Sequence, residues 1–214
     1  MENITEENVT TYINETIKKN NPFLCELEKE ARAEHIPVVH NEAGRFLAVL
    51  LSIIKPKKIL EIGTAIGYSA ILMHEACGGN VKITTIERDA EMIERAKKNL
   101  HTAGILKDVT ILEGDAQDKI KEAEGDFDFV FIDAAKGQYM KFFEEVSKKV
   151  RPGSVIVTDN VLFMGKVAIP GLPPRKHRTI VVNLREYLDM LCTRDDLDTS
   201  ILPLGDGMAI TRIK

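Results

Sequence analysis

The chain has 214 residues, 44% hydrophobic and 29% charged, which is enough to bury a substantial core and too apolar for intrinsic disorder. Its formal net charge of -4 gives no global basic signal for a nucleic-acid partner, although a local patch would suffice for one. Cys25, Cys77 and Cys192 are odd in number and lack zinc spacing, as expected of reduced thiols in a cytosol.

From the N-terminus, Met1 to Glu7 shows no basic start leading into an apolar run, so no secretory signal is expected. No segment reaches the roughly 18 apolar residues of a membrane helix, and a cytoplasmic protein is expected. Helical spacing covers Glu6 to Lys19 and Pro22 to Glu34, with Asn20-Asn21-Pro22 as the break. The apolar face with Val9, Ile13 and Ile17 exceeds what a small sheet covers, so a homodimer is expected. A third amphipathic helix runs from Glu42 to Ile54. These helices form an N-terminal extension (1–54) to a catalytic core (55–214) within a single domain, 1–214.

Strands and helices then alternate. Strands are expected at Lys58–Ile62, Val81–Ile86, Val109–Leu112, Phe127–Ile132 and Val155–Thr158. Helices are expected at Tyr68–Cys77, Ala90–Ala103, Gln117–Ala123 and Tyr139–Val150. A glycine- and proline-bearing loop, Phe163 to Pro174, leads into a helix from Thr179 to Leu191. Two final strands, Ser200–Leu204 and Met208–Ile213, are joined by Gly205-Asp206-Gly207 as a tight hairpin. The alternation predicts a Rossmann-like, doubly wound α/β fold, with a mostly parallel seven-stranded sheet ending in an antiparallel hairpin.

The chemistry lies at the carboxyl ends of the strands, where open α/β sheets collect ligands. Asp133, Asp159 and Asn160 follow two strongly apolar strands and present three oxygen donors, the set a hard divalent cation takes. Lys136, one turn past Asp133, would sit beside that cation, where burial and a nearby positive charge favour a neutral, basic amine. Ile62-Gly63-Thr64-Ala65-Ile66-Gly67 forms a glycine turn before a helix start, suited to an anionic group. Glu87 ends the second strand, where an acid commonly takes a ribose diol, and Gly114-Asp115-Ala116 ends the third, near where a base would lie. Glu61 is expected to orient the glycine turn or a cofactor amine. Asp206, between two glycines, is expected mainly to serve the hairpin. The five histidines have no metal-ligand spacing and none is assigned to the site.

From about Pro37 to Ile213 the chain resembles the S-adenosylmethionine-dependent, metal-dependent O-methyltransferases typified by catechol and caffeoyl-CoA O-methyltransferases. The matching stretches are Lys57 to Ile71, Phe131 to Tyr139, Thr158 to Gly165 and Pro203 to Ile210. Within that family it is most similar to the bacterial branch that methylates wobble 5-hydroxyuridine in tRNA. The resemblance implies that Gly63 and Ala65 line the methionine moiety, Ser69 holds its carboxylate and Val39 contacts the same end. It implies that Glu87 binds the ribose and that Asp115 and Ala116 frame the adenine. Asp133, Asp159 and Asn160 match the ligands of Mg2+ or Mn2+, with Asp133 also facing the cofactor, and Lys136 matches the general base.

A vicinal pair of oxygens could chelate such a metal, so a 5-hydroxyuridine in a tRNA anticodon loop and a small catechol or hydroxycinnamoyl-type phenol suit the same site. The basic run Arg175-Lys176-His177-Arg178 offers phosphate contacts to the first, or a solvated helix start. The first expectation is the tRNA substrate, the alternative is the phenol, and a non-catalytic nucleotide-binding module is a third reading.

Overall fold

A computed structural model describes residues 5–173 and 175–214; the Met1–Ile4 part of the opening stretch and Pro174 lie outside the described residues. Strands β1 (Lys58–Ile62), β2 (Lys82–Glu87), β3 (Val109–Glu113), β4 (Phe127–Ile132), β5 (Val150–Thr158), β6 (Leu197–Leu202) and β7 (Met208–Ile213) form one sheet in the order β3-β2-β1-β4-β5-β7-β6. Its first five strands are parallel, and β7 is antiparallel to both β5 and β6. The Rossmann-like expectation is met, including the closing hairpin.

Successive strand residues point to opposite faces, and the sequence supplies apolar side chains to both. Ile59, Phe129, Phe131 and Val157 face one way, against helices α2 (Pro22–Ala33), α3 (Asn41–Ile54), α4 (Tyr68–Ala76) and α5 (Ala90–Thr102). Leu60, Ile62, Val130 and Ile132 face the other way, against α6 (Ala116–Glu122), α7 (Tyr139–Val146) and α8 (Arg178–Thr193). Burial on both faces is why these strands read as continuous apolar runs.

Several helix starts are written locally. Asn21 accepts from the Leu24 N–H just before Pro22, Asp89 from those of Glu91 and Met92, and Asp115 from that of Gln117. Helix α1 (Glu7–Thr16) has no buried residue. On the face named for the homodimer expectation Val9 is 42% exposed, while Ile13 and Ile17 are half-buried. Among the described residues no helix is long and apolar enough to cross a membrane.

The boundaries shift by a few residues in several elements, α1 for example ending at Thr16 rather than Lys19, and most at one junction and one edge strand. Helix α7 stops at Val146 rather than Val150, and β5 begins at Val150 rather than Val155. Between Phe127↔Val150 and Phe129↔Val155 the register slips, so Arg151-Pro152-Gly153 bulges from the ladder. A proline without an N–H and a glycine at φ +91 suit a bulge, and read from sequence as a break between elements. The other difference is β6, which spans Leu197–Leu202 rather than Ser200–Leu204. It is an edge strand whose polar Asp198, Thr199 and Ser200 hide its start, and the connection to β7 is longer than the expected Gly-Asp-Gly turn.

Candidate active site

Strand order reverses between β1 and β4, and a cleft of about 330 Å³ opens at the carboxyl ends there, where doubly wound sheets bind their ligands. One wall is the turn after β1. Gly63 continues the ladder by donating to Ile86 O at 3.0 Å, then turns at φ +101. A Cβ on it would come within 2.0 Å of Asp133 O, so only glycine lets the ends of β1 and β4 meet this closely. Ala65 follows at φ +43, and its N–H donates to Glu87 Oε2 at 3.0 Å.

The expected cofactor residues Val39, Gly63, Ala65, Ser69, Glu87, Asp115, Ala116 and Asp133 all line this cleft. Pro37, Val38, Thr64, Arg88, Gln138 and Phe142, which sequence reading did not single out, line it too. Glu87 is more occupied than a lone ribose ligand. Besides Ala65 it accepts from the N–H groups of Arg88 (2.8 Å) and Asp89 (3.0 Å), so it braces the turn it faces.

Glu61 does not line the cleft; it is wholly buried beneath the turn. Its Oε2 accepts from Thr85 Oγ1 at 2.6 Å, and Thr85 in turn pairs with Thr64 Oγ1 at 2.6 Å. Burial pushes the Glu61 carboxyl up to about 7, against the opposing pull of the Ser69 and Thr85 hydroxyls. Ser69 lies near enough to act on the charge, yet Glu61 Oε1 has no hydrogen bond of good geometry among the described residues.

The other wall is built by β4 and β5. Asp133 donates its N–H to Ile62 O at 3.0 Å and Asp159 donates to Ile132 O at 2.9 Å, so both residues extend the parallel ladder past the strand ends. Asn160 follows at φ +58 and is buried. The Tyr139 hydroxyl donates to Asp159 O at 2.9 Å and fixes that turn from α7.

The Asp159 carboxylate accepts its neighbour's N–H through Oδ1 at 2.6 Å, while buried Oδ2 has no partner among the described residues. Burial, joined by the charge of Asp133, holds the Asp159 carboxyl well above the usual range. Burial raises Asp133 too, against the pull of Lys136. An orphaned buried carboxylate oxygen, a second carboxylate nearby and a buried amide are a donor set that a hard cation satisfies. Among the described residues no three His, Cys, Asp or Glu side chains come together as a metal site. The candidate set is two acids and one asparagine.

Lys136 lines the cleft beside this set, with its side chain 23% exposed. Its Nζ lies 5.7 Å from the centre of the Phe163 ring and 3.3 Å from Asp206 Oδ2. The sequence expectation put a cation beside Lys136; the structure adds a carboxylate that it had assigned mainly to the hairpin.

Asp206 was legible in principle. Strand β7 pairs antiparallel with β5, Thr158 opposite Ala209, so whatever precedes β7 must sit at the carboxyl end of β5. The basic run is less committed. His177 packs edge-on against Phe163 at 5.4 Å, while Arg175, Lys176 and Arg178 are exposed.

Residues 14–214 match the model of the O-methyltransferase family. The chain belongs to that family. Catechol O-methyltransferase from Niastella koreensis is 33% identical over 225 residues, spanning all of both chains. Caffeoyl-CoA O-methyltransferase 2 from Zea mays is 31% identical, over 86% of this chain and 74% of its own. The O-methyltransferase TomG from Streptomyces achromogenes, involved in tomaymycin synthesis and solved in complex with SAM, superposes with a TM-score of 0.84 at 28% identity. That match covers 97% of this chain and 96% of the other. The protein is an S-adenosylmethionine-dependent O-methyltransferase with relatives that bear catechol and caffeoyl-CoA O-methyltransferase names. The non-catalytic module is thereby set aside.

Proposed function

We propose that this O-methyltransferase acts on one hydroxyl of a small vicinal diphenol, using a divalent cation, Mg2+ or Mn2+, beside S-adenosylmethionine. The observation that carries the proposal is Lys136, Asp133 and Asn160 in the lining of one cleft, with the buried, partly unpartnered carboxylate of Asp159 directly before Asn160. Asp133, Asp159 and Asn160 would hold the cation; when bound, it lowers the pKa of a hydroxyl and orients it, while S-adenosylmethionine supplies the methyl group.

The chain's own residues do the rest. The turn from Gly63 to Ser69 receives the methionine end, and Glu87, Asp115 and Ala116 receive the nucleoside. Lys136 Nζ accepts the proton of the substrate hydroxyl. The half-buried walls exclude bulk water, which would otherwise weaken every charge interaction in the site.

The wobble 5-hydroxyuridine reading uses the same chemistry, because O4 and the 5-hydroxyl are also vicinal. Its support in this structure is the exposed Arg175, Lys176 and Arg178 near Phe163. The relatives give it none, bearing catechol and caffeoyl-CoA names, so the phenol is the better-supported substrate.

The test is methyl transfer by purified protein to catechol, with Mg2+ and with a chelator, compared with Lys136→Met. Chelator-sensitive turnover is expected, lost in the variant while cofactor binding by calorimetry persists. Turnover on 5-hydroxyuridine tRNA but not on catechol would move the substrate assignment. Wild-type rates in Lys136→Met would remove Lys136 as the proton acceptor.

A further inference from the structure

The segment after β5 leaves regular structure in an unusual way. Asn160, Phe163 and Met164 all have positive φ, at 58°, 45° and 55°, without being glycine. Each such residue costs on the order of 1 kcal/mol or more and persists only where its surroundings over-determine it. What holds this stretch is the connection between β6 and β7. Val161 donates to Gly207 O at 2.9 Å and Leu162 to Asp206 O at 3.0 Å. Gly207 sits so close that a Cβ there would lie 2.4 Å from Leu162. On its other side the connection abuts His40, next to cleft-lining Val39, 3.3 Å from where a Gly205 Cβ would be.

Asp206 stands in the middle of this junction and is 3% exposed. Its Oδ1 accepts the Met164 N–H, and its Oδ2 lies 3.3 Å from Lys136 Nζ. One buried carboxylate therefore ties the loop that begins with Asn160 to the tip of the lysine arm. A long lysine side chain carries about 2 kcal/mol of rotamer entropy. Besides meeting Asp206, the Lys136 Nζ faces the ring of Phe163.

We propose that Asp206 is a positioning residue of the methyl transfer, fixing Lys136 Nζ and the Asn160–Met164 loop against each other. The inference rests on the reading of Lys136 as proton acceptor. A misplacement of about 1 Å at a reacting group can cost a hundredfold in rate. Removing the charge should therefore act on turnover rather than on cofactor binding.

The experiment compares Asp206→Asn, Asp206→Ala and Lys136→Met, using catechol with Mg2+. Asp206→Asn keeps an oxygen for Met164 but no charge for Lys136. It should lower kcat about ten- to a hundredfold, with KM for S-adenosylmethionine, Mg2+ affinity and Met164 amide protection unchanged. Asp206→Ala should lower kcat similarly and also lose protection of the Met164 amide in hydrogen exchange.

Wild-type kcat in Asp206→Asn while Lys136→Met is inactive would overturn the proposal and leave the proposed function standing. Wild-type kcat in Lys136→Met would fell both. If Asp206→Asn does not fold, Asp206→Glu reads the same link. It keeps the charge but displaces it by a methylene, so a roughly tenfold drop supports positioning and a wild-type rate overturns it.

Discussion

The two walls of the cleft are built on opposite plans. The cofactor wall is a chain of local units, in which each strand end runs into its own turn and helix start. Gly63, Glu87 and Asp115 do their structural work within a few residues or on the adjacent strand. The acceptor wall brings together three distant stretches: Asp133–Lys136, Asp159–Met164 and the connection before β7. It also holds three of the seven non-glycine residues with positive φ among the described residues, Asn160, Phe163 and Met164, against Ala65 alone on the cofactor wall, together with the unpartnered buried Oδ2 of Asp159. Strain is denser on the second wall, while the first carries it only at Ala65 and in the buried Glu61 beneath its turn, as expected where groups are poised for a ligand.

The largest expected effect that separates the walls is that of Asp159→Asn. Transfer to catechol should fall about a thousandfold, the order set by losing several kcal/mol of charge stabilisation. The metal-free protein should meanwhile be at least as stable as wild type. A neutral amide in place of a buried, partly unpartnered acid removes a desolvation cost and the repulsion from Asp133. Thermal unfolding of the metal-free proteins checks this. A large loss of stability would mean that the acceptor wall needs its charges to fold.

The next largest concerns the cofactor wall. Gly63→Ala places a methyl against backbone, the carbonyl of Asp133, at φ +101. Neither a rotamer change nor a flexible neighbour relieves that clash, so the cost should be on the order of 4 kcal/mol. Cofactor affinity should fall with it. Denaturant unfolding of the ligand-free variant measures the first and calorimetry the second. A loss below about 1 kcal/mol would show that the β1–β4 junction yields, contrary to its packing.

The same contrast explains what could be read from the sequence. The doubly wound, mostly parallel sheet, its closing hairpin and eight of the cleft-lining residues were legible, because burial pattern and strand-end position are local signals. Asp133, Asp159 and Asn160 were legible as polar groups at strand ends for the same reason. What escaped needed a contact between distant segments. The Asp206–Lys136 link spans seventy positions, and Asp-Gly reads first as turn chemistry. The start of β5 escaped because Pro152 and Gly153 look like a break when they form a bulge. Glu61 was read as a cofactor or turn ligand, but its depth beneath the turn depends on Thr64 and Thr85 pairing above it.

Glu61 gives the smallest and most discriminating effect. Its carboxyl is raised to about 7 from 4.5, so between those values the folded state binds more protons than the unfolded one. Stability is then highest, as far as this group is concerned, below pH 4.5, and is lost as pH rises through 7. The linked loss is about 3 kcal/mol at most. Glu61→Gln removes the linkage, so the ligand-free variant should exceed wild type above pH 7 and converge with it below pH 5. Urea midpoints across that range measure the difference. S-adenosylmethionine then separates the two roles read for Glu61. If the carboxylate serves a cationic cofactor amine, the variant should bind the cofactor more weakly, most of all above pH 7 where wild type is ionised. If it serves only the turn through Thr85, affinity should follow stability and show no added dependence on pH.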